Sequence, residues 1–138
     1  MSLELDDIGG AKELAKRRLE VAKEDLSDAE NTFNSGMYRA SINRSYYAIY
    51  HAISACLALK FMAFKSHGQA VANFNKEFIH GDVFPKEMGR KISKAQEVRH
   101  ASDYDDFYVV SKEDTGTQLE WAKEIVGLVN EYIDSVID

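Results

Sequence analysis

Apolar and small residues recur along this chain at intervals of three and four, the period of a helix that buries one face. In the first segment they are Ala15, Leu19, Ala22, Leu26, Ala29 and Phe33. Asn34-Ser35-Gly36 then has the composition of a helix C-cap. A second helix is predicted from about Met37 to Leu59, with Ile42, Tyr46, Ile49, Ile53 and Cys56 as its stripe. Ala40, Tyr47, Ala48, Ala55 and Ala58 fill much of its remaining circumference, so this helix should be central. Phe61 to Lys65 breaks the pattern and reads as a connection. Ser66-His67-Gly68-Gln69 has the Ser-x-x-Gln form of a capping box and opens a short third helix to about Ile79, after which Gly81-Asp82 turns the chain. Pro85 suits the first turn of a fourth helix, where its missing N–H would be unpaired anyway. Met88, Ile92, Ala95, Arg99 and Ser102 share the inner line of that helix. Asp103 to Val110 is acidic and aromatic and reads as a loop. Two starts are open for the last helix, a capping box at Thr117-x-x-Glu120 or an earlier one at Ser111. Its stripe is Leu119, Ala122, Val126, Val129, Ile133 and Val136. The fold class is therefore all-α: an up-and-down bundle of about five helices, one domain over residues 1–138, with 1–10 a flexible N-terminal segment.

Composition narrows the class. With 138 residues the chain has room for one ordinary core. One cysteine excludes an intramolecular disulfide framework and any multi-cysteine metal site, which points to a reducing, cytoplasmic setting. Cys56, on an apolar stripe, reads as a core thiol. No apolar run approaches the roughly 18 residues of a membrane span. The acidic start (Leu3-Glu4-Leu5-Asp6-Asp7) lacks the basic region of a signal peptide. No cofactor motif is present, neither a Gly-rich phosphate loop nor a His/Cys/Asp/Glu cluster with metal-ligand spacing.

Charge first argues against nucleic acid, since 17 basic against 23 acidic residues leave a net charge of −6. Resolved along the chain, the objection weakens. Between Lys86 and His100 stand five basic residues (Lys86, Arg90, Lys91, Lys94, Arg99) and two acidic ones (Glu87, Glu97), a local balance of +3. That helix is either a solvated face or an anion-attracting patch beside Arg99.

The polar residues on buried lines carry the candidate chemistry. Arg44, Tyr47 and His51 are spaced three and four apart and share one face of the central helix. They form either a binding strip or a structural network in which Arg44 pairs with a carboxylate from another helix. Arg99 occupies an inward position, with Asp103 four residues on; His100 and Tyr104 are likewise four apart. An arginine can hold a phosphate bidentately and a histidine can transfer protons near neutral pH, a combination suited to metal-free phosphodiester cleavage. The structural alternative is a helix-end salt bridge between Arg99 and Asp103. His67 reads as a first-turn helix residue after the Ser66 cap, and His80 as an exposed turn.

The stretch Tyr38-Arg39-Ala40-Ser41-Ile42-Asn43-Arg44-Ser45-Tyr46-Tyr47-Ala48-Ile49-Tyr50-His51-Ala52 resembles the central helix of HEPN domains (higher eukaryotes and prokaryotes nucleotide-binding). Ser66-His67, the Phe74/Phe78 helix with Gly81 after it, and Arg99-x-x-x-Asp103-Tyr104 follow in the family's order. The resemblance covers roughly Ala11 to the C-terminus. It implies a helical bundle that forms homodimers, and for many prokaryotic members a toxin encoded beside a minimal nucleotidyltransferase antitoxin. Active members are metal-independent endoribonucleases whose motif is an arginine, a polar residue, three further residues and a histidine. Arg99 matches the arginine and His100 the polar position; Tyr104 stands where the histidine is expected. Two functions follow. One is an RNase with Arg99, His100 and Tyr104 as catalytic residues. The other is a non-catalytic domain that binds RNA, a nucleotide or a protein partner through Arg44, Tyr47, His51 and Asp103. A tyrosine beside the key arginine is also a candidate acceptor for nucleotidylation.

Overall fold

The periodic segments are helices in the computed structural model, which describes residues 5–137, with side-chain surroundings from residue 9 onward. They are α1 (Leu5–Asn34), α2 (Tyr38–Leu59), α3 (His67–Phe74), α4 (Lys86–Tyr104) and α5 (Lys112–Val136). No strand occurs among the described residues, and the all-α bundle of five helices is the predicted one. Of the N-terminal segment 1–10 expected to be flexible, residues 5–10 belong to α1, and residues 1–4 lie outside the described residues.

Local chemistry explains the element ends. Gly36 sits at φ +75°, its N–H bonded to the Phe33 carbonyl while Met37 N–H reaches the Thr32 carbonyl. This paired pattern reverses the chain in a few residues and lays α2 back along α1. The same pattern ends α2, through Phe61 N–H to Ala58 and Met62 N–H to Leu57. Here a phenylalanine at φ +59° takes the left-handed position, at a cost of about 1–2 kcal/mol relative to glycine. The Ser66 hydroxyl accepts the Gln69 N–H at 3.1 Å, as the capping box predicts. The third helix does reach Ile79, but its last turn, Asn75–Ile79, widens to π geometry. Gly81 follows because a Cβ there would collide with the Glu77 carbonyl.

The structure moves one boundary, decides between two others and turns one stripe residue outward. Pro85 stands one position before the first turn of α4 rather than in it, its carbonyl accepting the Met88 N–H at 3.0 Å. The last helix starts at the earlier of its two open sites: the Ser111 hydroxyl accepts the Asp114 N–H at 3.0 Å, and Thr117 lies inside the helix. Val136, predicted inward, is exposed, while Ile133 before it is buried and Ile137 after it packs on the core.

α2 packs against α1, α3, α4 and α5, which is why its apolar surface extends around most of its circumference. One continuous cluster draws on all five helices: Ala15 and Leu19 from α1, Ile49, Ile53 and Cys56 from α2, Phe74 from α3, Ile92 from α4, Val129 and Ile133 from α5. Phe74, Phe78, Phe84 and Tyr132 stack at one end of it, with ring centroids 5.1–6.0 Å apart. This packing holds one polar strip of α2 against α1, α3 and α4.

Candidate functional site

The polar strip begins where α1 crosses α2. Asp25 of α1 is buried and divides its carboxylate between two residues of α2. Its Oδ1 accepts Arg44 Nη1 at 3.1 Å, and its Oδ2 lies 2.8 Å from His51 Nδ1. The carboxylate from another helix that Arg44 was expected to need is therefore Asp25. Its residue number carried a signal, for 25 is three from Ala22 and four from Ala29, on the inner line of α1. Asn43 Oδ1 also accepts from Arg44, at 2.7 Å to Nη2, and the guanidinium lies 5.3 Å from the Tyr47 ring centre.

Arg99 enters from α4 and joins the same strip. Its guanidinium carbon is 5.2 Å from the Tyr46 ring centre and 5.6 Å from that of Tyr47, and Nη2 donates to the Tyr47 hydroxyl at 3.3 Å. Asp103 Oδ2 lies 3.0 Å from Arg99 Nε, the helix-end ion pair that the spacing allowed. The Nε–H is not aligned on that carboxylate, so it has charge compensation but no hydrogen-bond acceptor. Arg39 fixes the α4 end from below: its Nη1 donates to the Ser102 carbonyl at 2.6 Å, tying the last turn of α4 to the start of α2.

A residue that sequence reasoning passed over completes the arrangement. His67, at the start of α3, stacks on Tyr50 with centroids 4.0 Å apart, and its Nδ1 is 2.9 Å from the Tyr46 hydroxyl. Burial, then the positive charge of Arg99, then His51, push its pKa below the usual imidazole value. At neutral pH it is an uncharged imidazole, a proton acceptor beside a guanidinium. Burial also raises the Tyr46 phenol to about 12, against the opposing pull of Arg99. Tyr46 therefore stays protonated. The capping position of Ser66 disclosed where His67 sits along α3, but not which rings its side chain meets.

The structure separates the other expected residues. His100 and Tyr104 lie on the exposed side of the α4 end, rings 4.8 Å apart, and among the described residues no hydrogen bond joins either to Arg99. Successive helix residues diverge by roughly 100°, so Arg99 cannot face α2 with His100 beside it. The basic helix is also largely answered: Lys91 pairs with Glu124 at 2.8 Å, Lys94 with Glu97 at 3.8 Å and Arg99 with Asp103. What remains is a polar cluster along α2 (hereafter the groove) of two arginines, three tyrosines, two histidines and one buried aspartate. It can hold an anion against guanidinium N–H groups, stack flat rings and move a proton at an imidazole.

Comparison with known proteins identifies the family. The family model described as HEPN domain matches residues 15–132, which contain every residue of the groove. The chain is 28% identical over 135 residues to "Putative toxin MJ0142" of Methanocaldococcus jannaschii, covering 98% of this chain and 91% of the relative. It is 27% identical over 115 residues to a "UPF0332 protein" of Thermotoga maritima, covering 83% and 87%. With "Putative toxin MJ0605" of M. jannaschii it shares 34% over 86 residues, covering 62% and 64%.

Proposed function

Because the chain belongs to the HEPN domain family, we propose that it is a toxin-like protein that acts on RNA in the α2 groove, as a homodimer, without a metal ion. The toxin reading draws on the relatives' names, and with it comes a partner antitoxin of the minimal nucleotidyltransferase type. The observation that carries the RNA reading is the juxtaposition of Arg99 with the neutral imidazole of His67 across the Tyr46 ring.

The chemistry is 2′-hydroxyl attack on the adjacent phosphodiester. Arg99 takes charge developing on the phosphoryl oxygens, by exchanging its pairing with Asp103 for the phosphate. His67 accepts the 2′-hydroxyl proton as the 2′-oxygen bonds to phosphorus. The bond from phosphorus to the 5′-oxygen breaks, and that oxygen takes back the proton held by His67, relayed through His51 Nε2. Products are a 2′,3′-cyclic phosphate and a 5′-hydroxyl. This assigns proton transfer to imidazoles of the groove rather than to His100 or Tyr104. A tyrosine, with an ordinary pKa near 10, is a poor base at neutral pH. The α4–α5 loop, with Phe107 93% exposed beside exposed Tyr104 and Val109, provides apolar surface for a second copy near Arg99.

A second reading is favoured by the same ion pair. With Asp103 on Arg99 and Tyr104 where the family motif has histidine, the groove would bind RNA, a nucleotide or a protein partner without turnover. Structured RNA incubated with the protein in EDTA separates the two. The nuclease reading expects cyclic-phosphate ends that disappear with Arg99→Ala and His67→Ala. RNA retention that depends on Arg99, with no cleavage, establishes the binding reading. No RNA retention and no cleavage rejects the nuclease reading and RNA as the ligand; calorimetry with nucleotides and co-purification of a partner, both negative, then reject the binding reading.

A further inference from the structure

Further along α2, adjoining the groove at Tyr50 and His51, α1, α2, the 60–66 connection and α3 line a cavity of about 220 Å3. Arg18, Tyr50, His51, Ser54, Met62 and Phe64 contribute to its walls. We propose that this cavity binds a phosphate monoester carried on a flat, largely apolar ring.

The charges make the case. Arg18 is half-buried, and its Nη1 donates to the Ser54 carbonyl at 3.1 Å. That bond uses one of five N–H groups and fixes the direction of the others. No carboxylate among the described residues lies within ion-pair distance of Arg18, whereas Arg17 beside it reaches both Glu20 and Glu24. His51 is anchored by Asp25 at Nδ1, which leaves Nε2 without a protein partner among the described residues. The charge of Asp25 is already offset by Arg44. The cavity therefore combines an unanswered guanidinium with an imidazole, and no acidic residue lines it. In a chain with 23 acidic residues, a half-buried arginine without a carboxylate marks a place for an anion from outside.

The remaining walls define the rest of the ligand. Tyr50, Met62 and Phe64 are flat or deformable apolar surfaces, suited to a ring rather than a hydrated ion alone. The volume is below the about 300–1000 Å3 of typical small-molecule pockets, so it accommodates one phosphorylated ring rather than an extended ligand. A phosphate monoester carries about −1.5 to −2 charges at neutral pH and three acceptor oxygens, which suit the free guanidinium N–H groups of Arg18 beside the open Nε2 of His51. A free aromatic phosphate ester has this chemistry; a nucleic acid end carries its 5′-phosphate on a ribose, a puckered polar ring, and does not.

Calorimetry on the full chain with phenyl phosphate tests the proposal, with phenol and inorganic phosphate as the separated halves. One saturable site per chain is expected for phenyl phosphate, with weaker binding of inorganic phosphate and none of phenol. Arg18→Gln should weaken phenyl phosphate by about tenfold or more through loss of a charge-assisted contact. Ala63→Trp, at an exposed rim position, should block the cavity without entering the core. Helical circular dichroism verifies that both variants fold. Arg99→Ala should retain phenyl phosphate affinity, which separates this site from the Arg99 end of the strip although Tyr50 and His51 belong to both. A short 5′-phosphorylated oligonucleotide should not compete; competition that requires its 5′-phosphate would overturn the assignment to a phosphorylated flat ring. No saturable phenyl phosphate binding, or binding that neither Arg18→Gln nor Ala63→Trp changes, overturns the proposal.

Discussion

Replacing Asp25 by alanine probes the link on which both the groove and the cavity depend. The side chain is only 9% exposed and supports two contacts, 3.1 Å to Arg44 and 2.8 Å to His51. A hydrogen bond to a charged group contributes about 1.5–3 kcal/mol, so the two together set a gross loss of roughly 3–6 kcal/mol. The gross figure overstates the outcome. Arg44 is 39% and His51 31% exposed, so water recovers part of what each loses, and the desolvation of the carboxylate is itself relieved. A net destabilisation of about 2–3 kcal/mol is expected, a fall in Tm of roughly 8–12 °C for a domain of this size. Asp25→Asn preserves the shape and should lose about half as much. Urea unfolding followed by circular dichroism measures these values, and a double-mutant cycle with Arg44→Ala isolates the pair. A loss below about 0.5 kcal/mol, or no coupling to Arg44, would refute the reasoning that this carboxylate organises the strip.

Three further outcomes follow from the same contacts. The His67 imidazole should titrate with a midpoint below its unfolded value near 6.5 in a proton NMR titration. The unfolded state then binds the proton more readily, so its contribution to stability is present above pH 6.5 and lost as pH falls through and below it. Unfolding curves at pH 7.5 and 6 should show that loss in the native chain and less of it in His67→Gln. Cys56 is fully buried and its thiol is pushed up to about 12 by burial, so it should resist a disulfide reagent in the native state and react promptly in urea. Prompt native reaction would contradict the packing around α2. Ser111→Ala should cost about 1 kcal/mol through loss of the Asp114 N–H cap, while Thr117→Ala, inside the helix, should change stability little. The reverse order would move the start of α5 back to Thr117.

The helices were legible because their evidence is local. The 4-3-4-3-4 line of α1, the Gly36 stop and the Ser66 cap each depend on residues within a turn of one another. Ambiguity arose where two local solutions were both sound, as at Ser111 and Thr117. The structure chose Ser111, which adds an early turn that packs Thr115 into the bundle. The Arg44, Tyr47 and His51 face was visible for the same reason as the stripes, since three- and four-residue spacing defines a side of a helix wherever it packs.

The partners of that face were not legible. Which residue of α1 meets Arg44 depends on how far α1 slides along α2 and how it is rotated, quantities set by the interlocking of both apolar surfaces. Asp25 and Arg18 were open to notice as polar members of the inner side of α1, yet their roles emerge only when α2 lies against them. His67 is similar: its cap position is a sequence fact, and its stacking on Tyr50 follows from where the 60–66 connection delivers α3. The helices, their buried lines and the inward register of Arg99 follow from the order of residues alone. Only the tertiary structure decided which imidazoles share its surroundings, because periodicity records which side of a helix is buried and carries no information about what is packed against it.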